Sequence, residues 1–272
     1  MQQFFQTGAR LITVAALALL PPLLPLLFLS TAHAALPDEI QVYTDDINKP
    51  GEFGLELHVN TTPRGVDRAD FPGETTTHRG LRVTPEFSYG VSKDFELGLY
   101  VPMNLKAGNW SAAGYKLRAK WLPVRGDEDT GGWFAGANLE LSNIESKFNP
   151  SRYNAELRFM LGHRSHDWLF AMNPTFGWAL SPSQAAPPPQ NTRYRAGYKV
   201  ARTVAEGVAL GVEYYNEKGR LGAFEAANLQ SKTLFWVLDF DRKPLPFNLG
   251  IGRGLNSNSD RWTLKFIFDV PF

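Results

Sequence analysis

The chain has 272 residues, 28 of them basic and 27 acidic, and no cysteine. A net charge of +1 excludes the strongly cationic face that a nucleic-acid partner requires. The absence of cysteine excludes a disulfide framework, thiolate chemistry and a lipid-acceptor thiol.

The chain opens on the pattern of an export signal. Arg10 precedes an apolar run from Leu11 to Leu29, and Ala32-His33-Ala34 has the small-x-small form that signal peptidase cuts. The run is long enough for an anchor helix. Pro21, Pro22 and Pro25 oppose that reading, because they delete backbone donors in a span that must satisfy itself in lipid. A cleaved signal peptide over 1–34 is expected, with the mature chain starting at Ala35. No second apolar run of helix-spanning length follows. In 35–51, Ile40, Val42 and Ile47 alternate loosely with polar residues before a turn at Lys49-Pro50. This stretch is expected to be a periplasmic N-terminal tail or a segment folded inward.

From residue 52 the chain becomes a series of short segments in which apolar and polar residues alternate, the period of a sheet with two unlike faces. They cover 52–60, 81–91, 95–102, 113–122, 132–142, 153–162, 168–180, 192–201, 208–216, 232–241, 247–254 and 261–272. The second sets Leu81, Val83, Phe87, Tyr89 and Val91 against Arg82, Thr84, Glu86 and Ser88. The fourth sets Tyr115, Leu117, Ala119 and Trp121 against Lys116, Arg118 and Lys120, and the last sets Trp262, Leu264, Phe266, Phe268, Val270 and Phe272 against Arg261, Thr263, Lys265, Ile267 and Asp269.

Large aromatics gather at the segment ends: Tyr89, Phe95, Trp121, Trp133, Trp168 and Phe247 on one side, and Tyr115, Tyr153, Trp178, Tyr194, Tyr214 and Trp262 on the other. Two such girdles belong at membrane interfaces, whereas a soluble sandwich centres its largest rings. Trp236 is the exception, in mid-segment. With a periplasmic N-terminus, the connections after even segments are mostly short, and those at 61–80, 181–191 and 217–231 are long; the turn 123–131 departs from this. Short periplasmic turns and long outer loops are the asymmetry of an outer-membrane barrel. An all-β fold follows: a closed antiparallel transmembrane β-barrel of about twelve strands over 52–272, without free sheet edges.

The polar face should line the lumen. It carries Glu56, Glu86, Glu96, Glu140, Glu156, Glu213, Asp239, Asp241 and Asp269, and against them Arg82, Lys116, Arg118, Lys120, Arg158, Arg193, Arg195, Lys199, Arg261 and Lys265. The signs segregate by strand, so neighbouring strands can pair their charges across the ladder; Arg193, Arg195 and Lys199 are expected to face Glu213. A pore selective for one ion sign would need rings of a single charge instead. Barrels of about eight strands are filled by side chains and those of about sixteen hold open water. Twelve therefore predicts a narrow conduit or a plugged lumen.

The last strand resembles the assembly signal of bacterial outer-membrane proteins, with Phe266, Phe268, Val270 and the terminal Phe272 alternating. The resemblance implies recognition by the barrel-insertion machinery. The stretch Tyr89-Gly90-Val91-Ser92-Lys93-Asp94-Phe95-Glu96-Leu97-Gly98-Leu99-Tyr100-Val101-Pro102 resembles a repeated hairpin of the outer-membrane transporter family named for the meta-pathway of phenol degradation. It implies a small solute, apolar or aromatic, and brings no site residue with it.

Other chemistry is sparse. His163 and Ser165 have a His-x-Ser spacing met in lipid deacylases, but lack further members of a nucleophile–base–orienter set. His58, His78, His163 and His166 show no metal-ligand spacing with a second ligand, so no metal and no cofactor are expected. Pro187 to Pro189 read as a stiff spacer in an outer loop. The expected protein is an outer-membrane channel or transporter whose partners are lipid, the insertion machinery and a small-molecule solute. The alternatives are a non-conducting barrel whose loops 61–80 and 217–231 contact partners, and a lipid hydrolase.

Overall fold

The computed structural model describes residues 38–127, 130–183 and 192–271. The expected signal peptide, the proline run 187–189 and Phe272 lie outside the described residues. Twelve strands form a ring: β1 (Phe53–Arg64), β2 (Leu81–Ser92), β3 (Phe95–Tyr100), β4 (Gly114–Val124), β5 (Gly132–Ile144), β6 (Tyr153–Arg164), β7 (Trp168–Ala179), β8 (Arg193–Ala205), β9 (Val208–Arg220), β10 (Ser231–Phe240), β11 (Phe247–Gly254) and β12 (Trp262–Asp269). Each pairs antiparallel with the next, and β1 pairs with both β2 and β12, which closes the barrel. Closure leaves no ring strand with an unpaired edge. Strands of twelve or thirteen residues, tilted by about 40°, rise about 30 Å, enough for an apolar band about 25 Å tall and its flanks.

The alternation read from the sequence sorts the side chains as expected. Phe87, Leu97, Leu99, Leu117, Leu139, Leu141, Phe159, Leu161, Leu210, Val212 and Ile251 stand exposed on the outer surface. Phe87, Leu99, Leu117 and Leu141 meet in register across β2 to β5. A contiguous apolar belt of this extent has no place in water and fits lipid. The buried set is largely polar, so the interior is hydrogen-bonded and charged.

Short turns close one end of the barrel, at Lys93-Asp94, 165–167 and Glu206-Gly207, while 65–80, 145–152 and 221–230 close the other. Gly207, at φ +61°, provides the left-handed residue that the two-residue turn needs. That tight hairpin lets β8 run on to Ala205, and at the far end of the ladder β9 continues to Arg220, paired with Arg193. Tyr214 accordingly stands in mid-strand, stacked on Tyr198 at 6.1 Å, and belongs to no girdle. The third strand ends earlier than expected, at Tyr100, because Pro102 cannot donate to a ladder. The chain resumes as Met103–Lys106, pairs with the start of β2 and turns back through Asn109–Ala112. The nine-residue turn shrinks to 125–131 because β4 reaches Val124. At the short-turn end Trp121, Trp133 and Trp168 point outward, Trp133 edge-on to His163 at 4.9 Å.

Candidate functional site: a charged lumen around the N-terminal segment

Residues 38–49 fold inward, the second of the two placements weighed from sequence. The chain leaves β1 at the short-turn end, turns at Lys49 to Glu52 and runs back through the lumen towards the long loops. Gly90 makes the turn possible, since a Cβ there would lie 2.1 Å from the Lys49 carbonyl oxygen. Gly90→Ala should therefore push the segment off the wall, with faster hydrogen exchange at residues 42–49 and an unchanged strand core; unchanged exchange would remove Gly90 from this role.

The segment is held along its length. Asn48 N–H donates to Glu96 Oε2 at 2.8 Å, and Asn48 Nδ2 donates to Ser88 Oγ at 2.8 Å. Arg164 Nε donates to both carboxylate oxygens of Asp45, at 3.0 and 2.9 Å. Tyr43 N–H donates to Asn173 Oδ1 at 2.6 Å, and Asn173 Nδ2 donates to the Tyr43 carbonyl at 3.0 Å, so one amide side chain satisfies both backbone groups. The Tyr43 ring lies beneath Arg158, Lys120 and Arg118, at 4.4, 5.2 and 5.8 Å from the ring centroid, and its hydroxyl bonds that of Tyr100. Cation–π contact is strongest where the cation is desolvated, as here. Lys116 pairs with Asp38 at 2.8 Å, Arg158 with Glu39 at 3.0 Å, and Lys265 Nζ donates to the Ile40 carbonyl at 3.0 Å. Burial opposes ionisation of Glu39, but Arg158 and Lys116 outweigh it and hold the carboxyl well below the usual carboxylate range.

The charges expected to line the lumen fall into three groups around this segment. On one wall Arg118 joins Glu86 to Glu96, beside Glu56, with Lys120 over Tyr43. On the next, Arg158 bonds Glu156 at 2.9 Å and approaches Glu140 at 3.6 Å, and Arg195 pairs with Glu156. On the third, Glu213 takes Lys265 at 2.6 Å and Lys199 at 3.4 Å, and Lys199 reaches Asp239 at 2.8 Å.

Several expectations need correction. Arg195 does not face Glu213: it reaches over β7, where Thr175 stands opposite it and Gly177 stands opposite Glu156, to Glu156 on β6. Arg193 turns to Glu225 of a long loop, at 3.7 Å. Arg261 is exposed, one residue before β12 begins, and Asp241 and Asp269 are exposed at the short-turn end. Arg82 is inward and 1% exposed, yet its guanidinium has no hydrogen-bond partner among the described residues. Phe266 lies on the outer face with Phe268 stacked at 6.2 Å. Residues missed from sequence include Tyr43, Asp45, His58, Tyr100 and Asn173. Tyr100 shares the strand parity of Glu96 and could have been found by it; the inward course of 38–49 has no local signal.

Two cavities flank the segment and meet at Gln41. The one towards the long loops holds about 210 Å³ and has Arg82, Tyr215 and Phe235 in its wall. The one towards the short turns holds about 1080 Å³ and has Glu56, Lys120 and Asp239 in its wall. His163 and Ser165 form no catalytic pair: His163 packs on Trp133, and Ser165 Oγ accepts the Trp168 N–H at 3.1 Å within its turn.

No protein-family model and no curated protein matches the sequence. Among solved structures, the chain is similar to the COG4313 outer membrane channel from Pseudomonas putida F1, at 12% identity and a TM-score of 0.58, over 86% of this chain and 100% of that one. It is similar to the NanC porin at 9% identity and TM-score 0.53, over 81% of this chain and 100% of that one. It is also similar to the KdgM porin in complex with disordered oligogalacturonate, at 12% identity and TM-score 0.50, over 81% and 99%. The fold is that of an outer-membrane β-barrel.

Proposed function

We propose that the protein is a passive channel of the bacterial outer membrane, narrowed by its own N-terminal segment. The observation that carries the reading is the pair of cavities meeting at Gln41 on either side of residues 38–48. A barrel serving only as a wall has no need of two vestibules. The segment is held by ion pairs, hydrogen bonds, cation–π contact and the packing of Val42 and Tyr43 on the wall, but it shares no ladder with the ring strands, so it can yield without breaking the ring. The short-turn end faces the periplasm in this reading, the signal over 1–34 is removed, and Phe266, Phe268, Val270 and Phe272 address the insertion machinery.

The solute class is a small molecule with an aromatic or apolar body and a polar group. Tyr215 and Phe235 stand beside polar Asn60 and Thr263 in the loop-side cavity, and the Tyr89–Pro102 resemblance to the phenol meta-pathway family points the same way. An acidic saccharide, the class named for the KdgM complex, is less well matched, because most lumen bases are already paired with carboxylates. A non-conducting barrel is the second reading, favoured by the number of ion pairs that lock the segment in place. Planar-bilayer recording distinguishes them. The full chain should conduct weakly, and a chain lacking residues 36–48 several-fold more. Silent bilayers for both, with folding shown by heat-modifiable migration, would overturn the channel.

A further inference from the structure

Beyond conduction, we infer that the barrel wall holds a site for a first-row divalent metal ion of the zinc class, made by Glu56 and His58 of β1 and Glu86 of β2. The three side chains offer one donor atom each, all within 4.8 Å of one another. His58 Nε2 lies 3.0 Å from Glu86 Oε2 and 3.6 Å from Glu56 Oε2. Tetrahedral bonds of 2.0–2.2 Å to nitrogen and oxygen place neighbouring donors about 3.3 Å apart, and the two separations bracket that value.

The sheet register is an independent reason for a cation here. Glu56 stands directly opposite Glu86 on one flank and opposite Asp269 on the other. Like charges directly opposite each other destabilise a ladder, and three carboxylates in a row across β2, β1 and β12 call for positive charge between them. Arg118 supplies part of it, but from the far oxygen: it pairs with Glu86 Oε1, while Oε2 faces His58. That leaves Oε2 to ligate and makes Arg118 the group that orients the carboxylate, the usual place of an outer partner. Glu56 Oε2 is buried and accepts no hydrogen bond, and Glu56 borders the large cavity at the short-turn end, which gives the ion its route and a water for a fourth position. One imidazole and two carboxylates suit zinc or a neighbouring transition ion better than magnesium, which prefers an oxygen set. The competing arrangement is a protonated His58 bridging the two carboxylates with no ion.

The test uses the untagged, folded barrel in detergent, freed of metal with chelator and titrated with Zn²⁺ alone. One saturable equivalent is expected by calorimetry, together with a rise in melting temperature and, on replacement by Co²⁺, visible absorption of a low-coordinate site. His58→Asn and the milder Glu56→Gln, each checked for heat-modifiable migration, should weaken binding at least ~10-fold. Should His58→Asn fail to fold, Glu56→Gln alone decides, since Glu56 is half-exposed. No saturable Zn²⁺ binding by the parent protein would overturn the site in favour of the protonated bridge. Undiminished binding by a folded variant would overturn it in favour of surface histidines such as His166.

Discussion

Lys265→Met is expected to destabilise the barrel by about 3 kcal/mol, towards the low end of what breaking a buried ion pair costs. Lys265 is 0% exposed and Glu213 1% exposed, with Nζ and Oε2 at 2.6 Å. Removing the ammonium strands a carboxylate in the lumen wall and releases the Ile40 carbonyl of the N-terminal segment. The loss is limited because Lys199 at 3.4 Å and the Tyr215 hydroxyl at 2.7 Å still engage Glu213. Methionine keeps most of the lysine stem, so the methylenes that lie beside Gly250 are retained. Adding Glu213→Gln should recover much of the stability, since the uncompensated charge is what the single change leaves behind. Denaturant titration of the parent, both single variants and the double variant in lipid vesicles gives the coupling energy. Equal and additive losses would show that the pair is screened by water and the lumen more open than described.

Leu99→Arg and Leu139→Arg should each cost about 2–4 kcal/mol, the range for arginine near the bilayer midplane. Both are exposed on the outer surface, Leu99 in register with Phe87 and Leu117, and Leu139 with Ala119 and Leu157. Val204→Arg, equally outward but one residue from the end of β8, should cost about 0–1 kcal/mol, because the guanidinium reaches the interface there. Thr84 is unsuitable as an inward control: it is 0% exposed and arginine would overpack the lumen. If the two mid-strand changes and the terminal one unfold alike in lipid, the outer face is not the lipid face.

Much of the barrel was legible in the order of residues. Alternation has a period of two and needs no partner to be read, so Leu117 against Lys116, or Phe266 against Lys265, declares its face from local sequence. Strand ends were less legible. They depend on what the neighbouring strand still offers for pairing, which is why β9 runs on past Tyr215 to Arg220 while β3 stops before Pro102. The lumen charges were found as a set, but their pairing was not. Arg195 was expected opposite Glu213 and lies against Glu156, because a long side chain can cross a strand whose inward residues are small. The expectation of no metal rested on spacing along the chain. Glu86 comes twenty-eight residues after His58 and meets it only through the β1–β2 register, which no linear spacing reveals.

The sequence by itself determined the class of fold, the number of ring strands and the face of most side chains, because hydrophobic alternation and turn chemistry are local properties. Only the tertiary structure decided what occupies the lumen. Residues 38–49 have too little alternation to predict a partner. Their place is set by groups far apart in the chain, with Asn173 for the Tyr43 backbone, Arg158 for Glu39, Arg164 for Asp45 and Lys265 for Ile40. Closing the ring of twelve strands brings these donors to one axis, and the buried backbone and carboxylates of the segment are satisfied only there.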